Sequence, residues 1–284
     1  MGAVAFSTRE IKTIDPHMQQ LDLNQRMHLL THSHILELNE RIFALEGQIE
    51  GQRIELEARK TAELKQKQRE GVFSIAFGAE KWNKYFGDIG VEPPLPPNIE
   101  YVLNSPCLFW PDKKVRDTHL LFLVPATVDG KPLTLNSLQE LIQKPKEGYK
   151  TQYRYYNDFI KNELGNQSTS SHWVLMTRDV IPGSRSKPYE DQKKLVATHA
   201  KNSGQPYELP KALDVTIGIL IEHVQTATKL YNDNPWAYNR CQEKVNKNQW
   251  PVAIGDFGAK GLRFDCDDFG SVDYYAGVGG SWKF

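Results

Sequence analysis

Ile254–Phe284 reads IGDFGAKGLRFDCDDFGSVDYYAGVGGSWKF. Seven glycines and five aspartates surround three Phe and the adjacent Tyr274 and Tyr275, and the chain then closes in Ser281-Trp282-Lys283-Phe284. Gly and Asp disfavour helix interiors and plain strands, whereas Tyr and Phe on turns offer rigid contact area. The stretch is expected to be a recognition surface or a closing strand with decorated loops. The preceding chain is then its support.

With 284 residues, the chain has room for one large core or two smaller units. Lys+Arg 35 against Asp+Glu 35 leaves no net charge, so no nucleic-acid partner is expected. Local basic runs occur at Lys60–Arg69 and Lys144–Arg154. Cys107, Cys241 and Cys266 are odd in number and widely spaced, which fits neither a disulfide framework nor a zinc ribbon. No apolar run has the length of a membrane span, and Met1–Ser7 lacks the basic start of a signal peptide. A cytoplasmic protein, or one exported without a cleavable signal peptide, is expected.

Met18–Glu70 contains no proline and reads as helix almost throughout, with Gly47 and Gly51 as weak points. Ile35, Leu38, Ile42, Leu45 and Ile49 recur at alternating three- and four-residue spacing, the a/d seam of a coiled coil. Gln52 takes the next seam position and Leu56 restores it. Self-association through residues 35–56 is expected, with packing back on the chain's own globular domain as the alternative. Val91–Asn98 (VEPPLPPN) reads as a semi-rigid linker and the domain boundary, after an aromatic collar over Gly71–Gly90.

From Ile99 the pattern predicts a strand and turn at Tyr101–Trp110, strands at His119–Val124 and Trp173–Thr177, and a turn at Asp129-Gly130. Helices are predicted over Leu135–Gln143 behind Thr134 as N-cap, over Tyr153–Leu164 and over Glu190–His199, and Tyr207–Pro210 leads into a long one through Tyr231. Short strands follow at Trp250–Ile254 and Leu262–Phe264. This order points to an α+β domain with a small antiparallel sheet.

None of the common nucleotide-binding, zinc-protease or serine-hydrolase motifs is present. A cysteine nucleophile would pair Cys107 or Cys241 with His119, His172 or His223, but spacing selects no pair. Asp256, Asp265, Asp267, Asp268 and Asp273 include enough carboxylates for calcium. Counted from Asp265, however, Ala276 stands where an EF-hand's closing glutamate belongs. No cofactor, no metal site and no catalytic residue is expected.

Tyr207–Val215 (YELPKALDV), Asn234–Glu243 (NPWAYNRCQE), Trp250–Leu262 (WPVAIGDFGAKGL) and the closing Gly-x-Gly-Gly-Ser-Trp-Lys-Phe resemble, in that order, a bacterial C-type lectin-like fold. The similarity is to its formylglycine-generating-enzyme branch, in which an Arg-Leu-Pro-Thr-like motif opens a helix and a Gly-Phe-Arg-like strand ends the chain. Glu208–Lys211 matches the first motif, with Glu208 for Arg and Lys211 for Thr. His172–Ser184 also resembles domains of the environmental chlamydial type. The resemblance spans roughly Asn98–Phe284 and implies a C-type lectin-like domain over residues 99–284; the helical pattern before it fills a separate region, residues 1–90.

Members of this branch serve as variable proteins of diversity-generating retroelements, in which adenine-directed mutagenesis varies codons near the 3′ end. Mutating AAC- or AAT-type codons at adenine cannot yield Lys, Glu, Gln, Met or Trp. Those five types make up about a quarter of the chain, yet Gly261–Ser281 contains none of them. The resemblance thus implies a non-catalytic protein that binds an unidentified protein or other surface ligand. Its contact residues would be Asp256, Arg263, Asp265, Asp267, Asp268, Phe269, Asp273, Tyr274 and Tyr275, with Trp236, Trp250, Val252, Leu262 and Trp282 buried behind them. The enzyme alternative, an oxidase of the formylglycine-generating type or a hydrolase, requires Cys241 or Cys266 to meet a His or a second Cys.

Overall fold

The computed structural model describes residues 22–156, 158–266 and 274–284, except for the side chains of 62, 64–70 and 73. It is a mixed α+β structure with small sheets and a long N-terminal helix. Two compact units are present, Met1–Lys67 and Gln68–Phe284.

Helix α1 runs from Leu23 to Ile75. A reciprocal cap starts it: Gln25 N donates to Asp22 Oδ1 at 2.9 Å, and Asp22 N donates to Gln25 Oε1 at 3.3 Å. This satisfies two of the donors that a helix start leaves unpaired. The seam residues Ile35, Leu38, Ile42, Leu45, Ile49 and Leu56 are all exposed, at 46–63%. Surface pairs Glu37–Arg41 (2.9 Å) and Glu55–Arg59 (2.7 Å) add only a few tenths of a kcal/mol each, about 0.3–0.5.

In the second unit, the last turns of α1 are followed by α2 (Ala79–Tyr85), α3 (Ile99–Asn104) and the single turn α4 (Val115–Thr118). The stretch expected to be a linker lies within this unit. Trp82 is fully buried and its Nε1 donates to Leu123 O at 2.9 Å. Glu92 accepts from Ala79 N at 2.7 Å, and Pro93 O accepts from Trp173 Nε1 at 2.8 Å. The proline-rich segment is thus a packed strap, and the division between units falls after Lys67 rather than at residues 91–98. Tyr101–Trp110 is a second correction: its first residues belong to α3, which buries Ile99, Val102 and Leu103 on one side.

Strand β1 (His119–Val124) is buried along its whole length. A short hairpin follows, β2 (Thr127–Val128) and β3 (Lys131–Pro132), turning at Asp129 (φ 48°) and Gly130 (φ 74°) as a tight hairpin turn requires. Helix α5 (Leu135–Gln143) starts at Thr134, whose hydroxyl accepts from Ser137 N. The helix expected over Tyr153–Leu164 is instead strand β4 (Tyr153–Tyr155) followed by α6 (Asp158–Leu164). Strand β5 (His172–Thr177) pairs antiparallel with β1, and α7 (Tyr189–Ser203) ends at Gly204 in the left-handed conformation.

Helix α8 (Ala212–Thr226) is apolar on nearly every side and buried on nearly every side. It packs on β1 and β5 and on two strands of the larger sheet, β6 (Tyr238–Val245) and β7 (Trp250–Gly258). Its Gly218 allows close approach, since a Cβ there would stand 2.6 Å from Met176 Cε. The chain then adds β8 (Gly261–Cys266), β9 (Ala276–Gly277) and β10 (Ser281–Lys283). One sheet has the order β1-β5-β10 and the other β4-β8-β7-β6-β9. The second mixes parallel edge pairs with an antiparallel centre.

Candidate recognition face

Alternation along the strands gives the five-stranded sheet two different faces. Leu262, Phe264 and Cys266 on β8, Val252 and Ile254 on β7, and Tyr153 on β4 join the main core. Tyr238 and Ala253 form a separate small cluster with Ala276. The intervening positions Arg154 and Arg263 are direct register partners across β4 and β8. Two like charges side by side repel, and a carboxylate between them removes that cost. Asp256 supplies it: its Oδ2 accepts from Arg154 Nη2 at 3.0 Å and lies 3.7 Å from Arg263 Nη1. Arg263 Nη2 also donates to Asp265 Oδ2 at 2.6 Å.

Local backbone geometry aims Asp256 at this position. The β7–β8 register shifts between Gly255 and Gly258, and Asp256 adopts φ 47° at the bulge. A left-handed non-glycine residue is uncommon, although Asp tolerates it better than most. Gly255 precedes it because a Cβ there would meet Ala237 O at 1.9 Å. The row of charges is capped by an aromatic ring, with the Arg263 guanidinium carbon 4.2 Å from the centroid of Tyr156. Buried beneath it, Tyr238 has its phenol pKa pushed up, chiefly by burial.

Beside this charged row stand exposed aromatics. Tyr274 is 73% exposed and Tyr275 45%. Trp236, expected in the core, is 50% exposed, and its ring lies 5.4 Å from that of Tyr275. The turn at Asn234-Pro235 lifts it out of the core that Tyr231 enters. Arg185 ties the two segments together, its Nη1 donating to Trp236 O at 3.2 Å and to Tyr275 O at 3.5 Å. Of the other expected supports, Val252 and Leu262 are fully buried, whereas Trp250 and Trp282 are only partly covered.

The structure thus brings Asp256, Arg263 and Asp265 into one network and leaves Tyr274 and Tyr275 on the surface. Asp256 and Asp265 are 7% and 5% exposed, so they hold the arginines rather than face outward. Asp267, Asp268, Phe269 and Asp273 lie outside the described residues. The sequence pattern did not point to Arg154 or Tyr156, and it put Trp236 behind the face rather than on it.

The described residues include no group of three or more potential metal ligands. Cys241 is fully buried and its thiol pKa is raised, foremost by burial and then by Glu243 and Asp214. Cys241 and Cys266 lie on β6 and β8, the strands either side of β7, about 9–10 Å apart at ordinary strand spacing. His119 and His172 use both ring nitrogens structurally. His119 Nδ1 bonds Thr118 Oγ1 (2.9 Å) and Nε2 bonds Tyr207 OH (3.1 Å). His172 Nδ1 donates to Ser170 O at 2.7 Å, and Nε2 lies 3.3 Å from Asp214 Oδ1. A shielded thiol with a raised pKa is a poor nucleophile, and neither histidine has a nitrogen left to activate one. Compared with protein-family models, curated proteins and solved structures, the chain matches none.

Proposed function

We propose that the chain is a non-catalytic recognition protein of C-type lectin-like fold, in the branch that includes formylglycine-generating enzymes and the variable proteins of diversity-generating retroelements. The observation that carries the reading is the combination of exposed Trp236, Tyr274 and Tyr275 with a locked, buried network behind them. A surface built to vary needs a backing that does not depend on its side chains, and here Asp256 and the arginines belong to the sheet. Exposed aromatics provide the anchors, since Tyr and Trp bring large contact area at low entropic cost. The fold assignment has two further supports. Residues Glu208–Lys211 open α8, and Glu208 exchanges backbone hydrogen bonds of 2.8 and 2.9 Å with Ser281 in the closing strand. Self-association along the exposed seam of α1 would multiply weak contacts into avidity.

A library of the full chain with Asp267, Asp268, Phe269, Asp273, Tyr274 and Tyr275 randomised, and the Asp256–Arg263–Asp265 network kept, tests this reading. Most members should remain soluble with cooperative unfolding, and binders to presented proteins should be selectable. General loss of folding would reject it.

A further inference from the structure

The basic run noted in the sequence forms a second, separate feature. Residues Gln143–Gln152 (QKPKEGYKTQ) make a strap bound to the body by backbone hydrogen bonds that include Lys146 N to Tyr85 O at 2.8 Å and, at 3.0 Å, Thr151 N to Ile142 O, Tyr149 N to Val224 O and Leu262 N to Gln152 O. Gly148 permits the close approach, with φ 83° and Val224 O only 2.1 Å from where a Cβ would stand. The strap, the C-terminal end of α8 and the β7–β8 turn enclose an open groove of about 860 Å³. Its lining carries Lys144, Lys150 and Lys229 beside Tyr149 and His223, and no carboxylate among the described residues. The strap's own acid is turned away, Glu147 pairing with Lys84 at 3.6 Å, and Lys146 Nζ donates to Asn83 O. Lys229 is held in place by Gly258 O at 2.9 Å and by the Phe257 ring below it. Burial keeps the His223 imidazole pKa below its ordinary value, so the lysines are the lining's cations.

Three lysines lining one concavity with no acidic residue are conspicuous in a chain with no net charge. The volume is that of a small-molecule site, and lysines read phosphate as point charges, without the planar fork that arginine offers carboxylates. We propose that this groove binds a small molecule bearing a phosphoric anhydride, with Lys144, Lys150 and Lys229 on its oxygens. A free pyrophosphate and the polyphosphate of a nucleotide share that chemistry.

Calorimetric titration of the full chain with inorganic pyrophosphate, and separately with ATP, tests the proposal. Saturable binding of one pyrophosphate per chain is expected, weakened at least ~10-fold in Lys144→Glu and in Lys150→Glu, about 1.4 kcal/mol or more. Lys260→Glu, on the same turn but outside the lining, should change affinity less than ~2-fold. Tighter binding of ATP would show that the nucleoside is also read, beside Tyr149, and equal binding that only the anhydride is. Both variants alter exposed side chains, so their thermal unfolding without ligand should match that of the parent. Absence of pyrophosphate and ATP binding at millimolar concentration, or binding indifferent to Lys144→Glu and Lys150→Glu, would overturn the proposal. So would a single-stranded oligonucleotide that binds through the same lysines and displaces both.

Discussion

Arg154 reaches across from β4 to place its Nη2 3.0 Å from Asp256 Oδ2, on a residue held at φ 47° by the bulge in β7. The carboxylate is nearly buried while the Arg154 side chain keeps 38% exposure, so part of the attraction is screened by water. Asp256→Ala takes the paired carboxylate from Arg154, leaves Arg263 to Asp265 alone, and puts Ala at a left-handed position. A loss of about 2–3 kcal/mol in urea unfolding is expected. Asp256→Asn keeps a residue that tolerates the backbone and removes only the charge, so it should cost less, about 1–2 kcal/mol. Equal, small effects of both would show that the network is incidental.

The exposed seam of α1 makes a second expectation. Ile42→Glu with Leu45→Glu places charges at two adjacent seam positions, 52% and 56% exposed in the single chain. Sedimentation should show an oligomer for the parent at micromolar concentration and a monomer for the double variant, with the second unit still folded. A monomeric parent would remove self-association from the account.

His119 gives a pH dependence of known sign. Burial, the largest cause, lowers its pKa to about 3, and the nearby Arg178 pushes the same way. The unfolded chain therefore takes up the proton first. Stability from this group is complete above the ordinary histidine pKa of about 6.5 and falls as pH drops towards 3, by up to about 1.4 kcal/mol per pH unit. Glu243, whose pKa burial raises, acts in the opposite direction, so the comparison must be made by variant. In His119→Gln the decline in unfolding temperature between pH 6.5 and pH 4 should be shallower than in the parent. An unchanged slope would mean that His119 is not kept neutral.

Cys241 should be silent. Burial shields its sulfur and raises its pKa, so a thiol reagent should label it only at the rate of unfolding, and mild denaturant should speed labelling. Rapid labelling of native protein at Cys241 would reopen the enzyme reading.

Much of the fold can be read from local pattern. The buried run His119–Val124, the Thr134 cap with its helix and the Asp129-Gly130 turn each state their structure within a few residues. What escaped depends on distant partners. Tyr153–Tyr155 becomes a strand because β8 offers it a parallel edge, and no local signal announces that edge. Tyr238–Val245 carries Asn, Arg, Gln, Glu and Lys, yet it is strand because both β7 and β9 pair with it. Prolines at 93–97 point to a semi-rigid linker, whereas Glu92 and Pro93 are tied down by Ala79 and Trp173. At the candidate face, Tyr274 and Tyr275 were legible as surface aromatics. The burial of Asp256 and Asp265 was not, because their partner Arg154 comes from a stretch that reads as helix.

The central claim is that the C-terminal surface is built to vary. Sequencing the gene's 3′ end and the DNA that follows, in independent isolates, tests it most directly. The account predicts a near-copy of the 3′ end beside a reverse-transcriptase gene, with isolates differing at adenine-derived positions of the codons for Gly261–Ser281. Strand residues that form the core, such as Leu262 and Phe264, should stay constant. Substitutions spread evenly along the gene, with no such copy nearby, would contradict it.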